Sequence, residues 1–211
     1  MAIPSYLTVT PTSGSGNRSV SISSKVKHTG RVARTSTLKG SMTNYPAVEE
    51  VTINVTESPK AEFVSFVSLT YSVGKTGSTL TINGASNSSK LTFSYPSNGI
   101  GIAAITSYKV NSSISATSGT AISGDPGATA QYTFEVTLEV PENTTLESKT
   151  CTLVVQGSAS SITSQCVITQ SVGDPYLWVG EADQTEISIT IPQAGTAQSV
   201  QVLSNDAWTV S

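Results

Sequence analysis

The stretch Gln131-Tyr-Thr-Phe-Glu-Val-Thr-Leu-Glu-Val140 decides the fold class, because apolar and polar side chains alternate along it without a break. Successive side chains of a β-strand point to opposite faces of the sheet, so a period of two gives one buried face and one solvated face. Pro141 and Asn143 end the pattern, and further apolar segments follow at Thr150–Val155 and Cys166–Thr169. Together these segments predict the closing half of a small antiparallel sandwich.

The composition favours β-structure over disorder. Charged residues make up only 12% of the 211 residues, and the net charge is −3. Disordered chains usually carry a strong net charge and few β-branched residues, whereas this chain is rich in Val, Ile and Thr. No apolar run at helical spacing persists long enough to predict a helix. We therefore expect an all-β protein built from tandem Ig-like antiparallel β-sandwich modules, the last of them incomplete.

Turns and linkers divide the chain into three predicted modules, residues 1–58, 59–172 and 173–211. In the first, strands are expected at Tyr6–Thr10, around Val20 and Ile22, at Val32–Lys39 and around Val51–Val55. In the second, Asn83–Lys90 is expected to be a polar turn, and Ser112–Gly127 a polar, glycine-bearing connection that forms the most mobile loop. This module is expected to close with the strands of the opening stretch.

The third module is predicted to be too short to close a sandwich by itself. Its expected strands are Tyr176–Val179, Ile187–Ile191, Val200–Leu203 and the beginning of a fourth at Ala207–Val210. Three to four strands without a return half do not complete the fold. Two explanations stay open: a chain cut within the domain, which is the more ordinary one, or a sheet completed by another chain through β-augmentation.

Two strand-forming sequences recur along the chain. Arg34-Thr-Ser-Thr-Leu38 aligns with Lys149-Thr-Cys-Thr-Leu153, and Ile53-Asn-Val-Thr-Glu57 aligns with Cys166-Val-Ile-Thr-Gln170. After each pair comes a short linker with proline and then an aromatic-rich restart, at residues 62–64 or 176–179. Duplication of an Ig-sized unit explains this repetition.

Charge is distributed unevenly along the chain. Residues 1–48 hold six basic side chains and no acidic one, and the remainder holds 14 acidic residues against five lysines. The candidate residues for docking on an acidic partner are Arg18, Lys25, Lys27, Arg31, Arg34 and Lys39. A solvated face of an ordinary domain is the alternative, because clustered charge bears on association and not on fold.

No motif of the sequence predicts an enzyme, a metal site or a cofactor. The single histidine, His28, lies among basic residues without an orienting carboxylate nearby, so we expect it on a surface loop. Acidic residues are dispersed, and one histidine with two cysteines does not make a zinc site. Cys151 and Cys166 lie on neighbouring predicted strands, where a disulfide stays open but buried free thiols are expected.

Two groups of aromatic residues are notable near the end of the chain. Tyr176 and Trp178 are candidates for stacking against sugar rings. Trp208 is expected to be a core residue, because sandwiches commonly bury a tryptophan between their sheets.

Several of these stretches resemble the BACON domain, an Ig-like module associated with carbohydrate binding in Bacteroidetes. The resembling segments are Tyr6–Gly16, Asn143–Leu153, Cys166–Gln170 and Ser204–Ser211. In that family, segments like the last come from the first half of the domain, and segments like Tyr6–Gly16 come from its middle. The resemblance therefore implies an array entered halfway through one unit and left halfway through another, while residues 61–130 match it poorly.

The resemblance implies one of two settings, since such modules occur on Bacteroidetes surface proteins and in virion proteins of the crAss-like phages that infect them. Residues 1–9 lack the basic and apolar regions of a secretory signal. We therefore expect a phage virion protein assembled in the host cytoplasm, a capsid decoration or head-fibre base anchored through residues 1–58 with outer modules projecting for adhesion. A carbohydrate-binding module of a Bacteroidetes surface protein is the alternative.

The expected partners follow from that setting. They are the capsid or other virion proteins and, for adhesion, a host surface glycan. Self-association as a trimer is one option, because fibres are often trimeric. No stretch has the roughly 20 apolar residues of a membrane span, so no membrane is expected. A nucleic-acid partner is not expected either, because only Tyr6 and Tyr45 are aromatic within the basic region.

Overall fold

The computed structural model describes residues 2–211, which form fifteen β-strands and one short 3-10 turn at Pro126–Ala128. The strands are β1 Leu7–Thr10, β2 Ser21–Ser24, β3 Arg34–Gly40, β4 Val51–Glu57, β5 Val64–Phe66, β6 Thr70–Val73, β7 Ser78–Ser86, β8 Thr92–Asn98, β9 Ser107–Val110, β10 Ile114–Thr117, β11 Tyr132–Val140, β12 Lys149–Gln156, β13 Thr163–Gln170, β14 Leu177–Val179 and β15 Val202–Ser204. The prediction of an all-β protein is confirmed.

Strands β5–β13 form a two-layer structure, here called the central sandwich. One sheet has the order β10-β9-β11-β7-β5 and the other the order β6-β13-β12-β8. Consecutive strands β5 and β6 lie in different sheets, so the chain crosses from one layer to the other between Phe66 and Thr70. Nine strands in two packed layers are what an Ig-like sandwich contains.

The opening stretch is the middle of the larger sheet, as its alternation predicts. Along β11 every second residue from Tyr132 to Val140 is buried, and β11 pairs with β7 over nine residues. Phe134 sits at the centre of the core, where Phe66 and Phe93 approach its ring edge-on at centroid distances of 5.8 and 5.9 Å. Such edge-to-face pairs are favourable beyond the apolar area that they bury.

One pairing departs from the expected antiparallel arrangement. β6 runs parallel to β13, with Thr70 opposite Val167 and Val73 opposite Gln170. The reason is topological: β5 is antiparallel to β7 in one layer, and after the crossover β6 continues along the edge of the other layer. The remaining pairings between the named strands of residues 2–211 are antiparallel.

Smaller sheets flank the central sandwich. β1 pairs with β2 and β3 pairs with β4, and we call these two sheets the N-terminal hairpin pair. β14 pairs with β15, and we call this sheet the C-terminal hairpin. The modular, Ig-like architecture with an incomplete last unit is thus confirmed, while the boundaries at residues 58 and 172 stay predictions.

The predicted repeat is matched by equal strand registers. In the N-terminal hairpin pair, Arg34 faces Glu57 and Leu38 faces Ile53. In the central sandwich the aligned residues face each other in the same way, Lys149 with Gln170 and Leu153 with Cys166. The β3–β4 hairpin is therefore the counterpart of the β12–β13 hairpin in both sequence and pairing.

Three local expectations were wrong. Asn83–Lys90 is not a polar turn, because β7 continues to Ser86 and the side chains of Asn87 and Ser88 are fully buried. Their polar atoms are satisfied by hydrogen bonds that no local pattern encodes. Ile187–Ile191 and Ala207–Val210 form no strand within the described residues, because no neighbouring strand of this chain lies beside them to pair with.

Candidate functional site

The N-terminal hairpin pair is joined to one end of the central sandwich through main-chain hydrogen bonds. The amide of Arg31 donates to the carbonyl of Gly127, and the amide of Val32 donates to that of Ala128, both at 3.0 Å. The Arg31 guanidinium also forms an ion pair with Asp125. The connection expected to be the most mobile loop therefore supplies the contacts of this joint.

Two further residues complete the joint, and the sequence gives no signal for either. Gly30 lies against the main chain of Ala128 and Thr129, where a Cβ would come within 2.6 Å of the Thr129 carbonyl oxygen. The buried Asn87 amide donates to the carbonyls of Thr29 and Ala61, both at 3.2 Å. Because these contacts link residues far apart in sequence, only the folded chain shows them.

The six candidate basic residues do not form one continuous charged face. Arg34 pairs with Glu57 at 2.5 Å and Lys39 pairs with Glu50 at 2.8 Å, across the β3–β4 hairpin. With Arg31 bound to Asp125, three of the six are paired inside the chain. The other three are exposed and form no ion pair within residues 2–211: Arg18, Lys25 and Lys27.

Arg34 and Glu57 also hold the two hairpins of the N-terminal pair together. The guanidinium of Arg34 lies 4.2 Å from the centroid of the Tyr6 ring, next to β1. The Ser24 hydroxyl at the end of β2 donates to the Glu57 carboxylate at 2.7 Å. This hydrogen bond and the charge of Arg34 hold the pKa of Glu57 below 4.5, although partial burial acts in the opposite direction.

His28 is not on a surface loop as expected. It is buried, and its Nε2 donates to the carbonyl of Val32 at 2.6 Å. The histidine therefore fixes the turn that leads into the joint.

The opposite end of the central sandwich carries the C-terminal hairpin. Lys75 forms an ion pair with Asp174, and the side-chain amide of Asn205 donates to the carbonyl of Thr144 at 3.0 Å. These contacts adjoin the end of β11 at Val140, whereas the N-terminal joint adjoins its beginning at Tyr132.

The candidate sugar-stacking residues lie beside this second contact. The rings of Tyr176 and Trp178 stack with centroids 4.2 Å apart and planes 19° apart. They line an open cleft of about 520 Å³ together with Lys75, Glu142, Asn143 and Asp174. Aromatic faces next to carboxylate and ammonium groups are chemistry that suits a polyhydroxylated ligand. The Asn143 amide is buried and donates to the carbonyls of Glu147 and Ser171, so it shapes the cleft wall.

Trp208 was expected to be a core residue, and this was wrong. Its side chain is 47% exposed, because the C-terminal hairpin has no facing sheet within the described chain that would cover it. Trp208 instead lines a second open cleft of about 300 Å³ with Tyr176 and Leu177.

The two cysteines are buried and free, as expected. Cys151 faces Ile168 and Cys166 faces Leu153, so the two thiols are diagonal and not directly opposite each other. Diagonal neighbours on adjacent strands lie about 7–8 Å apart, beyond the Cα separation that most disulfides have. Burial raises the pKa of each thiol to about 11, which keeps both of them protonated and unreactive.

A polar cluster that the sequence analysis missed lies at the edge of the core. The Ser88 hydroxyl donates to Glu62 at 2.6 Å and lies 2.8 Å from the Ser158 hydroxyl. Burial raises the pKa of Glu62, but the hydrogen bonds from these two serines outweigh it and hold the pKa below 4.5. Ser88 is completely buried, whereas Ser158 is half-buried, so the cluster lies at the boundary between the core and solvent.

Within residues 2–211, no group of three histidine, cysteine or acidic side chains is arranged to hold a metal ion. Over the same residues, no helix is long and apolar enough to cross a membrane.

No family model and no curated protein matches the chain. Among solved structures, it is similar to cadherin-like domains 1 to 4 of zebrafish RET, with 12% identity over 60% of this chain and 31% of that chain and a TM-score of 0.31. It is also similar to an endo-fucoidan hydrolase from glycoside hydrolase family 107, with 12% identity over 82% of this chain and 27% of that chain and a TM-score of 0.28. Superpositions this loose carry no argument about function.

Proposed function

We propose that the chain is a non-enzymatic structural protein of a phage virion, a capsid decoration or the base of a head fibre. The observation that supports this most directly is the series of β-modules joined by specific contacts at opposite ends of the central sandwich. Such joints keep one end of the chain away from the other. A protein anchored at one end and projecting at the other needs this arrangement.

The anchoring end in this proposal is the N-terminal hairpin pair. Its exposed basic side chains Arg18, Lys25 and Lys27, which form no ion pair in the described part of the chain, would meet an acidic surface of the capsid. Charge complementarity of this kind accelerates docking and fixes its orientation more than it sets the final affinity. The paired residues Arg31 and Arg34 would instead keep the anchoring end in shape.

Purified phage particles provide the test. Mass spectrometry of intact particles should find the chain at a fixed stoichiometry with the major capsid protein. Recombinant chain should bind particles that lack it, and the double variant Lys25→Glu/Lys27→Glu should bind weakly. Lys109→Glu, an exposed charge reversal on the central sandwich, is the matched control and should bind like the wild type. Absence of the chain from particles would refute the proposal.

Binding of a carbohydrate is the second candidate function, favoured by the Tyr176–Trp178 stack and its polar cleft. On a virion this activity would serve adhesion, and on a bacterial surface protein it would be the main role. A glycan array should then show binding that Trp178→Ala abolishes. Tyr45→Ala, which removes an exposed aromatic ring far along the sequence from the cleft, is the control. Equal binding by wild type and Trp178→Ala would exclude this cleft as the site.

A further inference from the structure

Two strand edges of the N-terminal hairpin pair lack the neighbours that their counterparts have. In the central sandwich, β13 lies between β12 and β6. Its counterpart β4, identified by equal sequence and register, pairs with β3 alone. By position in the chain, β2 is the counterpart of β11, because each is the strand before the repeated hairpin. β11 has a neighbour on both sides, β9 and β7, whereas β2 pairs with β1 alone. Within residues 2–211, no strand equivalent to β6 and none equivalent to β7 lies beside the N-terminal hairpin pair.

The C-terminal segment contains strands of the missing kinds. β14 is the first strand after the second proline-containing linker, and β5 is the first strand after the first such linker. β14 pairs antiparallel with β15, and β5 likewise pairs antiparallel with β7. Between β14 and β15, in the place that β6 occupies between β5 and β7, lies the alternating stretch Ile187-Ser-Ile-Thr-Ile191. This stretch pairs with no strand of its own chain within residues 2–211.

Both surfaces expose the apolar side chains that such pairing would bury. On β4, Val51 is 63% and Ile53 is 41% exposed, and Ile53 lines an open cleft of about 310 Å³ between the two hairpins. On the other surface, Ile189 is 51% exposed between two similarly exposed isoleucines. An exposed row of alternating apolar residues beside a free strand edge is a template for strand addition.

The two surfaces cannot meet within one copy of the chain. The N-terminal hairpin pair contacts the central sandwich before Tyr132, and the C-terminal hairpin contacts it after Val140. Nine residues of strand β11 separate these contacts, which corresponds to about 30 Å. The C-terminal segment of one copy can therefore reach only the N-terminal hairpin pair of another copy.

Charge favours a second copy of the same chain as the occupant. Residues 173–211 contain five acidic residues and neither lysine nor arginine. Residues 1–58 contain six basic and three acidic residues. Opposite net charges at the two ends of one chain attract the head of one copy to the tail of another and disfavour head-to-head contact.

We propose that residues 176–211 of one copy complete the N-terminal hairpin pair of a second copy. Ile187–Ile191 adds to β4 in parallel, as β6 adds to β13, and β15 adds to β2, as β7 adds to β11. The four strands of one copy and the three of the other make seven, the number in a small Ig-like sandwich. Because the two contacting surfaces differ, a dimer keeps one free head and one free tail, and further copies join in open rows or closed rings.

Sedimentation of the purified full chain over a wide concentration range tests the proposal without any phage particle. The wild type should form dimers and longer rows as its concentration rises. Ile189→Lys should remain monomeric where the wild type is mostly associated, because it places a charge in the middle of the added strand. Ile114→Lys, at a similarly exposed isoleucine of the central sandwich (41% exposed), is the matched control and should associate like the wild type.

Mixing two variants tests the head-to-tail arrangement itself. Ile53→Lys blocks the head and leaves the tail intact, whereas Ile189→Lys blocks the tail and leaves the head intact. Each variant alone should be monomeric, and an equimolar mixture should form a dimer that does not grow further. A wild type that stays monomeric at every concentration overturns the proposal, and so does association that both variants retain or a mixture that forms no dimer.

Discussion

Replacing Gly30 by alanine should open the joint between the N-terminal hairpin pair and the central sandwich. The added Cβ would press on the main chain of Ala128 and Thr129, within 2.6 Å of the Thr129 carbonyl oxygen. Main-chain atoms fixed by the adjoining 3-10 turn cannot move aside as the end of a long side chain can, so overpacking is costly here. The clash is relieved when residues 29–32 move away from the turn.

The size of the effect follows from the hydrogen bonds that opening breaks. The two main-chain bonds from Arg31 and Val32, each 3.0 Å long, set its lower bound, because movement of residues 29–32 also strains the bonds that Thr29 and Gly30 accept from Asn87 and Lys60. At about 0.5–1.5 kcal/mol net for each bond, the closed joint loses about 1–3 kcal/mol. Since about 1.4 kcal/mol is a factor of ten, its equilibrium constant falls by roughly 5- to 140-fold. The partly exposed ion pair between Arg31 and Asp125 adds little to this.

Residue-resolved amide hydrogen exchange measures this factor, because local opening exposes amides without global unfolding. In Gly30→Ala, the amides of Arg31 and Val32 should exchange roughly 5- to 140-fold faster than in the wild type. The amide of Val136, in the middle of the central sandwich, should keep its rate.

Gly14→Ala is the control for this measurement. It lies in the same part of the chain, but its Cβ would meet only the flexible side chain of Arg18, at 3.2 Å. Its exchange rates should equal those of the wild type. Unchanged exchange at residues 31 and 32 in Gly30→Ala, or equal acceleration at Val136, would refute the reasoning about the joint.

Three further changes probe the core and the hairpins. Gly84→Ala should lower the free energy of unfolding in urea by about 1–3 kcal/mol, because the added Cβ would overlap the ring of Phe134. This cost exceeds the roughly 0.5–1 kcal/mol by which alanine is favoured over glycine in a strand. Cys151 and Cys166, with pKa values of about 11, should resist alkylation in the folded protein and react fully after unfolding, as read by intact mass; a disulfide-linked mass would contradict this. Because the pKa of Glu57 is lowered in the folded state, its carboxylate contributes stability above pH 4.5, and this stability is lost as the pH falls through the folded-state pKa. Amide protection of β4 in the wild type should therefore decline over that acidic range. An identical decline in Glu57→Gln would contradict this role.

Gly74→Ala is the matched control for Gly84→Ala. A Cβ at Gly74 has nothing within 4 Å, so the same chemical change should be neutral or slightly stabilising. Equal unfolding midpoints for the two variants would show that Phe134 does not require the space above Gly84.

The regular features of the fold were predictable because they rest on neighbours in sequence. The alternation from Tyr132 to Val140 predicted the central strand and its buried face, and it needed only the geometry of an extended chain. The aligned segments beginning at Arg34 and Lys149 predicted two similar hairpins. In each hairpin the first aligned residue faces the last one, Arg34 with Glu57 and Lys149 with Gln170. Positions on adjacent strands left a disulfide between Cys151 and Cys166 open, but buried free thiols were expected, and both thiols are free.

The candidate site was less predictable because its contacts join distant residues. The basic region up to residue 48 looked continuous, but folding places Arg31 beside Asp125 and Arg34 beside Glu57. His28 and Asn87 are polar residues in polar stretches, and nothing local indicates that both are buried at one joint. The Tyr176–Trp178 pair was recognised as a candidate, and its stacking geometry came from the fold.

The amino-acid sequence by itself determined that this chain forms β-strands, where the strongest of them lie, and that one hairpin occurs twice. Those properties depend on side-chain alternation and turn residues within a few positions of each other. The tertiary structure alone decided which charges are neutralised, which polar groups are buried and which strand edges remain free. Such properties depend on which distant segments come to lie side by side, and for β4 and Ile187–Ile191 the structure leaves that neighbour's place open.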